Sequence, residues 1–91
     1  MNDRPRNATT SLIDQLQAAT PDDLASGQSI VIVLDWESAD LLFVTRPYER
    51  RSTAHCMQTR HNHVGRAYVA CRHAGGTTYM ASKDYTLGTI R

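Results

Sequence analysis

Cysteine occurs only at Cys56 and Cys71 in this 91-residue chain, enough for one disulfide, where a small secreted domain stapled by bridges would carry more. Both thiols are therefore expected to be reduced. No apolar run approaches the ~18 residues that a bilayer span requires, and residues 1–9 are polar where a secretory leader needs an apolar stretch. A cytoplasmic location and no membrane contact are the corresponding expectations. The nearest approach to a phosphate-binding loop, Ala74-Gly75-Gly76-Thr77-Thr78, has neither the lysine nor the spacing of one, and a hairpin turn accounts for its glycines. The chain is also short of bulk: a domain of this length hides only about 60 to 65% of its unfolded surface, which disfavours a deep internal active-site cavity. Internal repeats and low-complexity segments are missing as well.

What is present suits one small globular domain. The apolar share of 41% and charged share of 21% disfavour wholesale disorder. Residues 1–9 contain almost nothing to bury and read as a disordered tail, leaving residues 10–91 as the domain. Leu12, Ile13, Leu16 and Ala19 fall on one stripe, which predicts a short amphipathic helix over 11–19 capped by Thr10 or Ser11. The run Thr20-Pro21-Asp22-Asp23 before Gly27 predicts one further helical turn over 21–26, with Leu24 inward.

Residues 30–34 are consecutively apolar and largely β-branched, the pattern of a central strand, and 41–45 across a polar turn is its hairpin partner. Pro47 closes that second strand. Residues 51–58 alternate weakly, 66–72 alternate clearly, and 77–81 and 85–90 extend the series as strands. The predicted fold is α+β: a short N-terminal helix, plus the helical turn, packed on an antiparallel meander sheet of four to six strands. Its core would hold Ile30, Ile32, Leu34, Leu42, Val44, Val69 and Cys71 against Leu12 and Leu16.

Charge is distributed unevenly. Residues 1–44 carry two basic and seven acidic side chains, a balance of −5, whereas residues 45–91 carry eight basic and two acidic, a balance of +6, together with all four histidines. Nine of the ten basic residues are arginine, whose planar fork suits carboxylates and phosphates. Codon composition in a GC-rich genome can account for the arginine excess, but it leaves the position of the charges unexplained.

Three kinds of chemistry can be built from the basic half. His61 with His63, and Cys71 with His73, are strand-spaced pairs that with Cys56 offer zinc-type ligands, yet none has the CxxC or HxxxH spacing of a knuckle. Reading Cys56 and Cys71 as small core residues facing each other across strands, with the histidines on the surface, accounts for the same letters, and no metal or cofactor is predicted. A general base from His55, His61 or His63 beside Ser52 or Cys56 has no supporting spacing, so catalysis is not predicted.

The third is a binding surface. If Ala67, Val69 and Cys71 face the core, Arg66, Tyr68 and Arg72 point outward, and with Arg50 and Arg51 they form an Arg/Tyr-bearing sheet face of the composition enriched at binding hot spots. The predicted function is a small non-catalytic binding or inhibitor-type protein that engages another macromolecule, a protein in preference to nucleic acid because the near-zero net charge lacks the surplus of a generic nucleic-acid binder. A nucleic-acid module on the same face, a zinc-stabilised domain, and a homodimer joining acidic to basic halves (with Asp22 and Asp23 on the acidic side) are the other readings. A solvated polar sheet face is the bland one.

Overall fold

The computed structural model describes residues 8–91, with side chains from residue 12 onward. Along the chain run helix α1 (Ala8–Ala19), strands β1 (Ser29–Leu34) and β2 (Leu41–Val44), helix α2 (Arg51–His61), and strands β3 (Arg66–His73), β4 (Gly76–Ser82) and β5 (Tyr85–Ile90). The strands form one sheet in the order β2-β1-β3-β4-β5, and every pairing is antiparallel. The class is α+β with a meander-like sheet, as the sequence predicts.

β1 lies inside the sheet, between β2 and β3, and all six of its residues are buried. A strand without alternation has apolar side chains on both faces, so both faces of the sheet need cover. On one face Ile30, Ile32 and Leu34 join Tyr68, Ala70 and Tyr79 beneath Leu16, with Leu12, Ile13 and Ala19 packed alongside. On the other, Val31 and Val33 join Ala67, Val69 and Met80 beneath Ala54, with Met57 and Phe43 alongside. The second cover is α2, lying where residues 51–58 were expected to be a strand. Its cap residue Arg50 is extended and makes no side-chain capping bond, and Arg60 and His61 stand in its last turn, where positive charge favours the helix dipole.

Three further expectations are corrected. α1 already includes Ala8 and Thr9, so Thr10 and Ser11 stand inside the helix rather than at its cap, while the rest of the expected tail, residues 1–7, lies outside the described residues. Residues 21–24 form a single hydrogen-bonded turn, Leu24 N–H to Pro21 O at 3.2 Å, that does not continue as a helix, although Leu24 is buried as expected. Leu42 is not core: the β1–β2 register slips between Val33 and Leu34, leaving Leu42 unmatched on a short edge strand and 44% exposed.

Two polar contacts fix the layers. Thr20 Oγ1 donates to Leu16 O at 2.8 Å, so the 2.9 Å contact with Tyr79 must be donated by the tyrosine hydroxyl, which ties β4 to the end of α1. Gln58, buried in α2, donates through Nε2 to Ala67 O and Ala81 O, both at 2.8 Å, and so pins α2 to β3 and β4.

Candidate functional site

The expected Arg/Tyr sheet face is not an open surface. Tyr68 is 8% exposed and Ala70 fully buried, because the face they share with Ile32 lies under α1. The alternation of β3 was read in the right register, but its second face is covered. Arg66 and Arg72 stand at opposite ends of β3, six residues and about 20 Å apart. Arg50 and Arg51 are exposed at the start of α2 and not on the sheet.

Arg72 is committed within the fold. Its Nε donates to Thr77 Oγ1 at 2.7 Å, Nη1 to Leu24 O at 3.0 Å and Nη2 to Pro21 O at 3.4 Å, while its main chain exchanges bonds with Gln28 O (2.9 Å) and Gly27 N–H (2.8 Å). The guanidinium thus caps two carbonyls of the 21–24 turn. Arg72→Ala is expected to lower unfolding free energy by about 1 to 2 kcal/mol, against roughly 0.5 or less for Arg66→Ala. Urea denaturation of the two variants checks this, and equal midpoints would show that the turn does not depend on the guanidinium.

The histidines and cysteines separate. His55, Cys56 and His61 lie on α2, His63 in the loop after it, and Cys71 and His73 on β3. Cys56 is exposed on a helix rather than facing Cys71 across strands, and both thiols are free. His73 accepts from Gly75 N–H through Nδ1 at 3.1 Å, so Nε2 is its donor to Thr78 Oγ1 at 2.8 Å, and Thr78 meets Thr89 Oγ1 at 2.8 Å. That chain crosses β3, β4 and β5. His61 packs edge-on against Phe43 at 5.0 Å. Among the described residues no group of three or more His, Cys, Asp or Glu side chains is placed to hold a metal.

Ser52, His55 and Cys56, weighed above as a base and its nucleophiles, do meet: all three line an open groove of about 780 Å³ between α2 and the β4–β5 turn, with Arg51 and Lys83. Because the Gln58 amide spends its N–H groups on two carbonyls, its Oε1 faces His55 and accepts from Nδ1–H at 2.9 Å. The other ring nitrogen, Nε2, is buried with no hydrogen-bond partner among the described residues. His55 is tied to Gln58 through Nδ1 while the residue itself lines the groove.

The β1–β2 hairpin, on the β2 side of the sheet, carries what sequence reasoning missed. Trp36 (49% exposed), Leu41 (48%), Leu42 (44%) and Val64 (52%) are large apolar side chains in water. The fold brings them together: Leu34 pairs with both Leu41 and Arg66, the Arg66 guanidinium sits over the Trp36 ring at 6.0 Å, and a Cβ on Gly65, next to Val64, would meet Leu42 Cδ1 at 3.1 Å. Trp36 is held outward by the hairpin turn. Asp35 Oδ2 accepts from the N–H groups of Ser38 and Glu37, each at 3.0 Å, and these bonds, that of Ser38 first, hold its carboxyl below the usual carboxylate range. Ala39 closes the turn at φ 63°, and its carbonyl accepts from Gln15 Nε2 of α1. The only tryptophan of the chain, set among Asp35, Glu37 and Ser38 in a turn, was the sequence signal for this end.

No family model, curated protein or solved structure significantly matches this chain. Among the described residues no helix is long and apolar enough to cross a membrane.

Proposed function

We propose that the chain is a small non-catalytic binding protein whose contact surface is the hairpin end: Trp36, Leu41, Leu42 and Val64, with Arg66 stacked on the tryptophan. The observation that supports this reading is the exposure of four large apolar side chains at one end of so small a molecule, each 44 to 52% accessible. Apolar surface of that kind, beside charge, is what a protein interface uses. Tryptophan and arginine are also the side chains over-represented among interface hot spots, and here one braces the other. The reading keeps the partner class expected from the sequence and moves the surface from the centre of the sheet to its edge, retaining Arg66 of the original set.

The test compares wild-type protein with Trp36→Ala as bait in an extract of the native host, followed by affinity measurement on whatever protein is retained. Trp36→Ala is expected to weaken that complex by about tenfold or more while leaving the melting temperature nearly unchanged. Between 50 and 200 mM salt, affinity should fall far less than the roughly thousandfold of a complex held by several phosphate contacts. Retention of nucleic acid with that steep salt dependence, or a protein partner indifferent to Trp36→Ala, would remove the hairpin end as the surface.

A further inference from the structure

Among the described residues β2 has one neighbour in the sheet, β1, and its other side is an open edge. Thr45 N–H bonds to Val31 O at 3.0 Å, so the alternation of an antiparallel ladder turns the N–H and C=O of Val44 away from β1. Charge and proline within the strand are two of the devices that protect a sheet edge, beside the shortness and slipped register that β2 does have. Leu41-Leu42-Phe43-Val44 has neither charge nor proline, and its first two residues are almost half exposed.

The ends of β2 differ in charge. Asp35, Glu37 and Asp40 precede it, and Arg46, Arg50 and Arg51 follow it, with Glu49 between them. Asp40 and Arg46, each one or two residues beyond the strand, are both exposed, and Arg46 is extended over the Tyr48 ring at 5.9 Å. A strand with an acidic start and a basic end is complementary to itself when it runs antiparallel: the start of one copy then lies beside the end of the other, twice over.

We infer that β2 pairs with β2 of a second copy of this chain, antiparallel about a two-fold axis near Phe43, joining two five-stranded sheets into one and setting Asp40 of each copy beside Arg46 of the other. The inference rests on the hairpin end being an interaction surface and names the occupant of its Leu41–Leu42 part. It places the charge asymmetry at the two ends of one strand instead of at Asp22 and Asp23, which lie on the 21–24 turn. Pairing along the edge satisfies main-chain groups that otherwise bond to water, removes Leu41 and Leu42 from solvent, and leaves the groove beside α2 open.

Sedimentation equilibrium of the full chain decides the matter. At about 100 µM the wild type is expected to run at twice its 10.2 kDa chain mass. Asp40→Arg and Arg46→Asp should each weaken the dimer by about tenfold or more, since each sets like charges side by side twice, and the two substitutions combined should restore most of the loss. Circular dichroism of each variant verifies that the fold persists. A monomeric wild type, or a dimer that neither single variant weakens, overturns the pairing; so does a double variant no tighter than the singles. A monomer that still loses a foreign partner on Trp36→Ala would leave the hairpin end standing as an interface and refute only the self-pairing.

Discussion

Replacing Gln58 by leucine should lower the free energy of unfolding by about 2 to 4 kcal/mol, although the new side chain is apolar, of similar size, and enters a site 4% exposed. The amide is the only bond donor that α2 extends to Ala67 O and Ala81 O among the described contacts, at 2.8 Å each, and its oxygen holds the His55 ring at 2.9 Å. Leucine fills the volume and supplies none of these bonds, so the change isolates the hydrogen-bond contribution from any cavity. Ala67 O loses its donor in a buried layer and Ala81 O in a half-buried one beside the groove, and each such loss costs about 1 to 3 kcal/mol, less where water can replace the donor. Urea unfolding followed by circular dichroism measures it, with an unchanged slope expected because the surface exposed on unfolding stays the same. A midpoint equal to wild type would mean that α2 is held by Ala54 and Met57 alone.

The same residue explains why α2 was not legible as a helix. Its eleven residues contain no leucine, isoleucine or valine, and the face it lays on the sheet is made of Ala54, Met57 and the polar Gln58. Helical periodicity is carried by apolar side chains at three- and four-residue spacing, and a helix that substitutes an amide for one of them reads as weak alternation. β1, by contrast, was plain: five apolar residues in a row between Gly27 and Asp35 leave no polar face, and the strand is buried on both. A run buried on both faces requires a second cover for the sheet. With one helix available, β3 had to show its Arg66, Tyr68, Ala70 and Arg72 side to water; with two, Tyr68 and Ala70 go under α1 while only the ends of the strand remain at the surface.

Arg72 was out of reach for a different reason. Its carbonyl partner Leu24 is 48 residues away, and no local pattern distinguishes an arginine that caps a distant turn from one that waits for a ligand. The hairpin end was half legible. Leu42 is expected in the core because an apolar residue opposite a buried strand is usually buried; a slipped register at the sheet edge leaves it exposed, with Leu41 beside it.

Leu34→Ala is expected to cost about 2 to 5 kcal/mol, and Leu42→Ala roughly 0.5 kcal/mol or less, although the two residues carry the same side chain in one hairpin. Leu34 is 1% exposed at the end of β1, opposite Leu41 on one side and Arg66 on the other, and packed with Leu16, Ile32 and Tyr68 beneath α1. Its surroundings have little freedom to close on a vacancy. The backbone of Gly65 passes so near the Leu34 carbonyl that even a Cβ there would collide with it, which fixes the end of the strand between β3 and the turn. Truncation therefore leaves a cavity as well as losing transfer free energy. Leu42 has the opposite surroundings, an unmatched position on the edge with water over nearly half its surface, and there is little burial to lose. In thermal unfolding the first change should lower the midpoint by roughly 10 °C or more and the second by a few degrees at most. In sedimentation the ranking should invert: at a temperature where both variants are folded, Leu34→Ala should retain the wild-type self-association and Leu42→Ala should weaken it, because burial in the core and exposure at the edge divide the two leucines between folding and binding.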